Sequence, residues 1–326
     1  MKEKIITKKI LKWYDLNKRP LPWRKKVSVE KKQYYTLISE FMLQQTQVIT
    51  VIPFFNRFIK NLPSINSLAK VSEKKLIKLW EGLGYYSRAR NLKKSAQVIL
   101  KNFDGKLPDN FEDLITLPGI GNYTANAILA IAFNKPYIPL DGNIERVLKR
   151  YLYLKKDKEI QKDYLLQKKI VFGKTLRSSD YAQALMELGA LICKPNNPIC
   201  AQCPIIKNCK SYKKKDFSLI KNIKKNKDKY FVLKVYKKDQ RYLLIKNSKF
   251  NFLKNLTIFP MEELSNPKNF NENLNFKMSN MNMNIKIEYS NDNKKFPYSY
   301  WVDGTKMNSY MLPSFTKKIV QYLEKN

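Results

Sequence analysis

The stretch FEDLITLPGIGNYTANAILAIAF, from Phe111 to Phe133, reads as a helix, a tight turn and a second helix. Leu117-Pro118-Gly119-Ile120-Gly121 supplies the turn. Glycines two apart, Gly119 and Gly121, let the backbone approach a ligand closely, and the N–H groups that open the next helix point outward at an anion. A plain helix-to-helix connection without a ligand fits the same residues. The choice between the two turns on the rest of the chain.

Charge is the first constraint. The 326 residues carry 63 Lys and Arg against 27 Asp and Glu, a formal net charge of +36. A field of that sign calls for a polyanionic partner, most simply nucleic acid, whose phosphates the turn at Gly119 and Gly121 would meet. With 44% hydrophobic residues the chain is globular and long enough for two or three domains. No apolar run approaches the roughly 18 residues that span a bilayer, and MKEKIITKKI is too charged for a signal peptide, so the expected setting is the cytoplasm, on the nucleoid, with no membrane.

The pattern changes along the chain. Up to about residue 212 apolar residues recur at three and four, as in Tyr34, Leu37, Ile38, Phe41, Met42 and in Leu76, Leu79, Trp80, Leu83, with breaks at Pro53, Pro63, Gly82, Gly105 and Pro108. Residues 213–229 form a lysine-rich linker. Beyond it the period becomes two: strands from Tyr230 and from Arg241 joined by a turn at Lys238–Gln240, then an asparagine-rich stretch from Ser265 to Asn293 that predicts long loops between weak strands, and a helix over 313–325.

Three local patterns carry chemistry. Asp141, in Pro139-Leu140-Asp141-Gly142-Asn143-Ile144-Glu145-Arg146-Val147, precedes an amphipathic helix and suits an N-cap. Glu40 lies in Ser39-Glu40-Phe41-Met42-Leu43-Gln44-Gln45-Thr46; at about 100° per residue it falls off the apolar stripe, and Leu43 points almost opposite the core. A leucine on the wrong face followed by two glutamines fits a wedge entering a base stack, although an ordinary surface helix would carry them too. Finally, the four cysteines, Cys193, Cys200, Cys203 and Cys209, cluster late in the helical part, and the chain has no histidine. Four thiolates without imidazole suit an all-cysteine iron–sulfur cluster or zinc site. Only one C-x2-C knuckle is present, which favours iron–sulfur; two disulfides would need an oxidising compartment.

Together these motifs resemble the helix-hairpin-helix DNA glycosylases of the endonuclease III superfamily that carry a 4Fe–4S cluster. LPWR (Leu21–Arg24), SEFMLQQTQV (Ser39–Val48), EGLGYYSRARNL (Glu81–Leu92) and LDGNIERVL (Leu140–Leu148) resemble the adenine DNA glycosylases, the MutY family, over about residues 11–212. The resemblance implies a mostly α N-terminal two-thirds of helix-hairpin-helix glycosylase fold with a cluster module, and a C-terminal α+β Nudix-like domain. It implies a six-helix barrel module at 29–138, a cluster module from 1–28 and 139–212, and a divergent lesion-recognition domain at 230–326. The implied activity is base excision repair by a monomer that flips and excises adenine mispaired with 8-oxoguanine or guanine in double-stranded DNA.

Residue by residue, the resemblance makes Glu40 the general acid and Asp141 the carboxylate that stabilises the oxocarbenium ion, supported by Tyr123 and Asn143. Arg24, Trp23 and Gln183 line the adenine pocket, Gln45 and Tyr85 insert near the lesion base, and the four cysteines hold the cluster. Endonuclease III relatives carry a catalytic lysine where this chain has Tyr123; tyrosine forms no imine, so a monofunctional enzyme is expected. A pyrimidine-directed glycosylase with lyase activity and a noncatalytic DNA-binding protein are the competing readings. In the C-terminal domain the family reads 8-oxoguanine through a Phe-Ser-His loop; the nearest match is Tyr289-Ser290-Asn291, which gives Ser290 that place. There is no glutamate-rich Nudix hydrolase box, so no pyrophosphatase activity is expected.

Overall fold

A computed structural model describes residues 5–154, 175–218 and 226–326, apart from 266, 269, 279–280, 292–295, 311 and 326. The expected cluster module at 139–212 and linker at 213–229 therefore lie partly outside the described residues. The chain forms two compact units: Met1–Leu79 with Ser87–Asn222, and Trp80–Tyr86 with Ile223–Asn326.

The first unit is helical. Its elements are α1 (Ile5–Asn17), a 3-10 turn at Pro22–Arg24, α2 (Val29–Leu43), α3 (Val48–Asn61), α4 (Ile65–Lys70), α5 (Glu73–Trp80), α6 (Tyr86–Asn102), α7 (Phe111–Thr116), α8 (Asn122–Ile131), α9 (Gly142–Leu152) and α10 (Ser178–Glu187). Short turns at Leu188–Ile192, Cys200–Gln202 and Ile206–Asn208, then α11 (Lys210–Lys213), close the described part. Side-chain caps start several helices: Ser28 accepts from Lys31 N, Asn110 from Asp113 N, and Ser64 with Ser67 forms a capping box on α4.

Two expectations need correction here. Pro53 does not end a helix but lies inside α3, where Val51, Phe55 and Phe58 are buried and hold the helix across the one hydrogen bond the ring forfeits. Likewise α2 is no surface helix. Every residue from Thr36 to Met42 is buried, because α3 and α8 both pack on it; Glu40, off the apolar stripe, is enclosed all the same.

The hairpin α7–turn–α8 is locked from behind. Ser95 Oγ donates to Pro118 O at 2.6 Å. Gly119 has φ +84°, and a Cβ there would stand 2.9 Å from both Asn91 Cβ and Phe41 Cε1, so only glycine fits. A second core joins α1, α9, α10 and the Leu188–Ile192 turn through Ile10, Leu11, Tyr14, Ile144, Val147, Leu148, Leu185 and Leu188, and Cys193, Cys203 and Cys209 pack against it.

The second unit is α+β. One sheet runs β5 (Met261–Leu264), β1 (Lys227–Val235), β7 (Met281–Tyr289), β6 (Leu274–Met278), with β1 and β7 parallel and the other pairs antiparallel. In the other, β3 (Arg241–Lys246) pairs with β2 (Lys237–Lys238), β4 (Thr257–Ile258) and β8 (Ser299–Asp303). Helix α12 (Ser314–Leu323) contributes Ile319 and Val320 to the core.

The strand predicted from Tyr230 therefore does not form a simple hairpin with its neighbour. It breaks at Tyr236: β1 joins one sheet, and only the two-residue β2 turns back onto β3. The asparagine-rich stretch also departs from the loops expected of it, since β7 is nine residues long and fully paired with β1. Met281, Met283 and Ile285 fill the core at period two. The asparagines find polar partners across strands, Asn275 Nδ2 donating to Asn284 Oδ1 at 2.7 Å and Asn282 Nδ2 to Asp228 Oδ1 at 2.8 Å. Among the described residues no helix is long and apolar enough to cross a membrane.

Because Ile285 is completely buried in the central strand pair, Ile285→Ala should destabilise the second unit by about 2–5 kcal/mol. Denaturant unfolding monitored by circular dichroism measures the loss.

Candidate active site

Helix α2 carries Glu40 into the interior of the first unit, at 5% exposure. The opening turn of α8 brings Tyr123 to it, and the two side chains hydrogen-bond, while Glu40 Oε2 has no partner. Burial pushes Glu40 up to about 7; nearby Asp141 adds to the rise, and the Tyr123 hydrogen bond and the Arg24 guanidinium oppose it. Tyr123 is itself pushed up, chiefly by burial and then by the two carboxylates.

Asp141 caps α9, as its sequence position suggested. Its Oδ1 accepts from Ile144 N at 2.7 Å and its Oδ2 from Asn143 Nδ2 at 2.8 Å. Burial raises Asp141 too, but the Ile144 and Asn143 donors and the Arg146 guanidinium pull it back. The two carboxyl groups are thus unequally served: Asp141 has donors on both oxygens and Glu40 has a bare one. The shared negative charge belongs on Asp141 and the proton on Glu40.

Behind Asp141 a chain of donors reaches the cysteine loop. Asn143 Oδ1 accepts from Arg146 Nη2 at 2.8 Å, and Arg146 donates onward to Gly189 O at 2.7 Å and Cys193 O at 2.6 Å. The four thiols share one electrostatic neighbourhood. Burial first, then Cys193, Cys209 and Cys200, push the Cys203 thiol up to about 12, and Cys193 likewise raises Cys200 and Cys209. Arg150 Nη1 lies 3.6 Å from Cys193 Sγ. Among the described residues, however, no three cysteine, aspartate or glutamate side chains converge as ligands of a single ion.

The other expected site residues fall in several places. Arg24 Nε donates to Gln183 Oε1 at 2.7 Å, and both line a cavity of about 770 Å³ together with Trp23, whose ring meets Phe55 edge-on at 5.3 Å. Leu43 ends α2 half-buried, and Gln44 Nε2 donates to Gly119 O at 3.3 Å, tying the helix end to the hairpin. Gln45 and Tyr85 both adopt left-handed backbone, at φ 57° and 47°, and both are exposed. Tyr85 groups with the second unit, as does Ser290, whose N–H donates to Val235 O at 3.0 Å.

Two further residues escaped the sequence reading. Arg88 donates to the carbonyls of Phe41 and Met42 at 3.2 and 2.8 Å, and also to that of Gln44, so it holds the C-terminal end of α2. Glu187, fully buried, binds Arg19 and Arg24. Its signal was its place four residues after Gln183, on the same helical face.

Residues 38–170 match the family described as HhH-GPD superfamily base excision DNA repair protein, the class that the hairpin and the two carboxyl groups define. The chain is 40% identical over 266 residues to an adenine DNA glycosylase of Buchnera aphidicola subsp. Schizaphis graminum, covering 78% of this chain and 74% of that one. It is 45% identical over 221 residues to the adenine DNA glycosylase of Buchnera aphidicola subsp. Baizongia pistaciae, covering 67% and 61%. The chain belongs to the adenine DNA glycosylase family, within the endonuclease III superfamily. Among solved structures a thermostable thymine-DNA glycosylase superposes with a TM-score of 0.58 at 27% identity, over 64% of this chain and 96% of that one.

A Cβ at Gly189 would stand 2.5 Å from Asn143 Cβ and 2.9 Å from Asn143 O. Gly189→Ala should therefore displace Asn143 from Asp141 and lower the rate of base release at least tenfold, about 1.4 kcal/mol of barrier, more than it weakens DNA binding. Single-turnover rates set against binding titrations check this.

Proposed function

We propose that this chain is a monofunctional glycosylase that hydrolyses the N-glycosidic bond of adenine mispaired with 8-oxoguanine or guanine in double-stranded DNA. The observation that carries the reading is Glu40: enclosed, raised to about 7, with one oxygen bare, and within electrostatic reach of a carboxylate that has donors on both oxygens.

Adenine leaves deoxyribose readily only if the ring is protonated. Glu40 gives its proton to N7, the C1′–N9 bond breaks with its electron pair moving into the ring, and neutral adenine departs. Positive charge collects on the sugar, and the Asp141 carboxylate opposes it from one face. The ionised Glu40 then takes a proton from water as the water oxygen bonds to C1′; the acid is restored and an abasic sugar remains. Tyr123 steadies Glu40 and Asn143 steadies Asp141. With tyrosine in place of an amine no imine forms, so the strand stays intact.

Flipping the nucleotide costs a few kcal/mol of stacking and pairing. Leu43 and Gln44 as a wedge, Gln45 and Tyr85 near the lesion base, and backbone at Gly119 and Gly121 on a phosphate would offset it. Trp23, Arg24 and Gln183 would contact the extruded adenine; the cavity they line is not itself lined by Glu40, Tyr123 or Asp141. The second unit, an α+β body with two sheets, acts as a Nudix-like lesion reader with Ser290 at the base opposite adenine. The enzyme works as a monomer on nucleoid DNA in the cytoplasm.

Cys193, Cys200, Cys203 and Cys209 would hold a 4Fe–4S cluster. Four thiols in one electrostatic neighbourhood, three of them packed against the α1–α9–α10 core, suit a group that takes all four as thiolates. When bound, the cluster would brace the loop that exposes Lys194, Lys207 and Lys210; the hydrolysis needs only the two carboxylates.

Glu40→Gln should slow adenine release about 100- to 10,000-fold while binding to the mispaired duplex persists. Tyr123→Lys should introduce strand breaks without alkali, read on denaturing gels. Anaerobically purified protein should contain iron and inorganic sulfide in equal amounts; zinc in their place contradicts the cluster.

A further inference from the structure

We propose that Glu187 is a positioning residue of the base pocket: it orients Arg24 and offsets its charge, and so governs how strongly that guanidinium acts on Glu40. The inference rests on the reading of Glu40 as the acid.

The side chain of Glu187 has no exposed surface, whereas those of Arg19 and Arg24 are 35% and 15% exposed. Its Oε2 accepts from Arg19 Nε at 2.8 Å, its Oε1 accepts from Arg19 Nη2 at 3.1 Å, and Arg24 Nη1 stands 2.7 Å from Oε1 as an ion pair. Stripping a carboxylate of water is costly, and an apolar pair of the same volume commonly stabilises a fold as well. What a buried ion pair gives instead is direction. Arg24 Nη1 is held by Glu187, and also donates to Arg19 O at 3.3 Å; Nε is held by Gln183. The amide of Gln183 is oriented in turn, since its Nε2 donates to Ser179 O at 3.2 Å. Arg24 Nη2 has no acceptor among the described residues, and the Arg24 side chain lines the cavity while Glu187 stands behind its wall. The guanidinium is thereby anchored at Nε and Nη1, which leaves Nη2 for a base.

Charge supplies the second half of the argument. The groups that act on Glu40 are Tyr123, Asp141 and Arg24. A positive charge near a carboxyl group favours its ionised form, and Glu40 must be protonated to act. Glu187 cancels part of that positive charge at its source. Remove the cancellation and the Arg24 field reaches Glu40 more fully; its acid range shifts down, and activity is lost at lower pH.

The test is single-turnover release of adenine from an adenine–guanine duplex across about pH 5 to 9, for the wild type, Glu187→Gln and Glu187→Asp. Glu187→Gln should lose at least tenfold in rate and move the alkaline limb of the profile down by about half a unit or more, with mismatch binding within threefold of wild type. Glu187→Asp should shift the same way by less. An alkaline limb unmoved in Glu187→Gln overturns the proposal, because a purely structural role would lower the rate at every pH alike. If Glu187→Gln fails to fold by circular dichroism, Glu187→Asp decides: an unshifted limb at wild-type rate overturns it. A wild type that releases no adenine would instead sink the glycosylase reading itself.

Discussion

A buried carboxyl group and a half-buried one within electrostatic reach of each other cannot both be ionised cheaply, and the first unit resolves that conflict by distributing hydrogen bonds unevenly. Asp141 is an N-cap, so a helix terminus and the amide of Asn143 serve it. Glu40 comes from the last turn of α2, within the stretch Thr36–Met42 that is covered throughout, and a helix C-terminus offers carbonyls and no free N–H to meet its second oxygen. The asymmetry is therefore a property of where each residue sits in its helix. From it follow a proton held near neutral pH on one group and a negative charge on the other, which is what departure of a base from a sugar requires.

The surrounding packing keeps this arrangement from relaxing. Gly119 admits Asn91 and Phe41 against the hairpin, Gly189 admits Asn143 against the following turn, and a side chain at either place would push the opposing element away. Arg146 links the Asp141–Asn143 pair to the carbonyl of Cys193, so the loop that carries the cysteines and the turn that carries the carboxylate share one guanidinium.

Much of this was legible in the chain. The hairpin, the Asp141 cap, the clustered cysteines and the family segments could be read because each is local: a turn needs glycine, a cap needs a short acceptor, a metal loop needs thiols close in sequence. Burial was less legible. A helical wheel put Glu40 off the apolar stripe and could not show what encloses it, whereas packing by α3 and α8 covers α2 on several sides. Non-local pairs such as Glu187 with Arg19 left no periodic trace. The asparagine-rich stretch misled for a similar reason: asparagines disfavour strands singly but find polar partners once β6, β7 and β1 align. At Tyr236 the change of sheet follows from long-range parallel pairing of β1 with β7, which short-range alternation does not encode.

The central claim is that burial keeps Glu40 protonated close to neutral pH. Carbon-13 NMR of the side-chain carboxyl groups in labelled full-length protein, with the Glu40 signal assigned by its disappearance in Glu40→Gln, reads that proton directly. The account predicts a titration midpoint near 7 for Glu40, as its burial requires. A midpoint at the ordinary glutamate value, about 4.3, would contradict it.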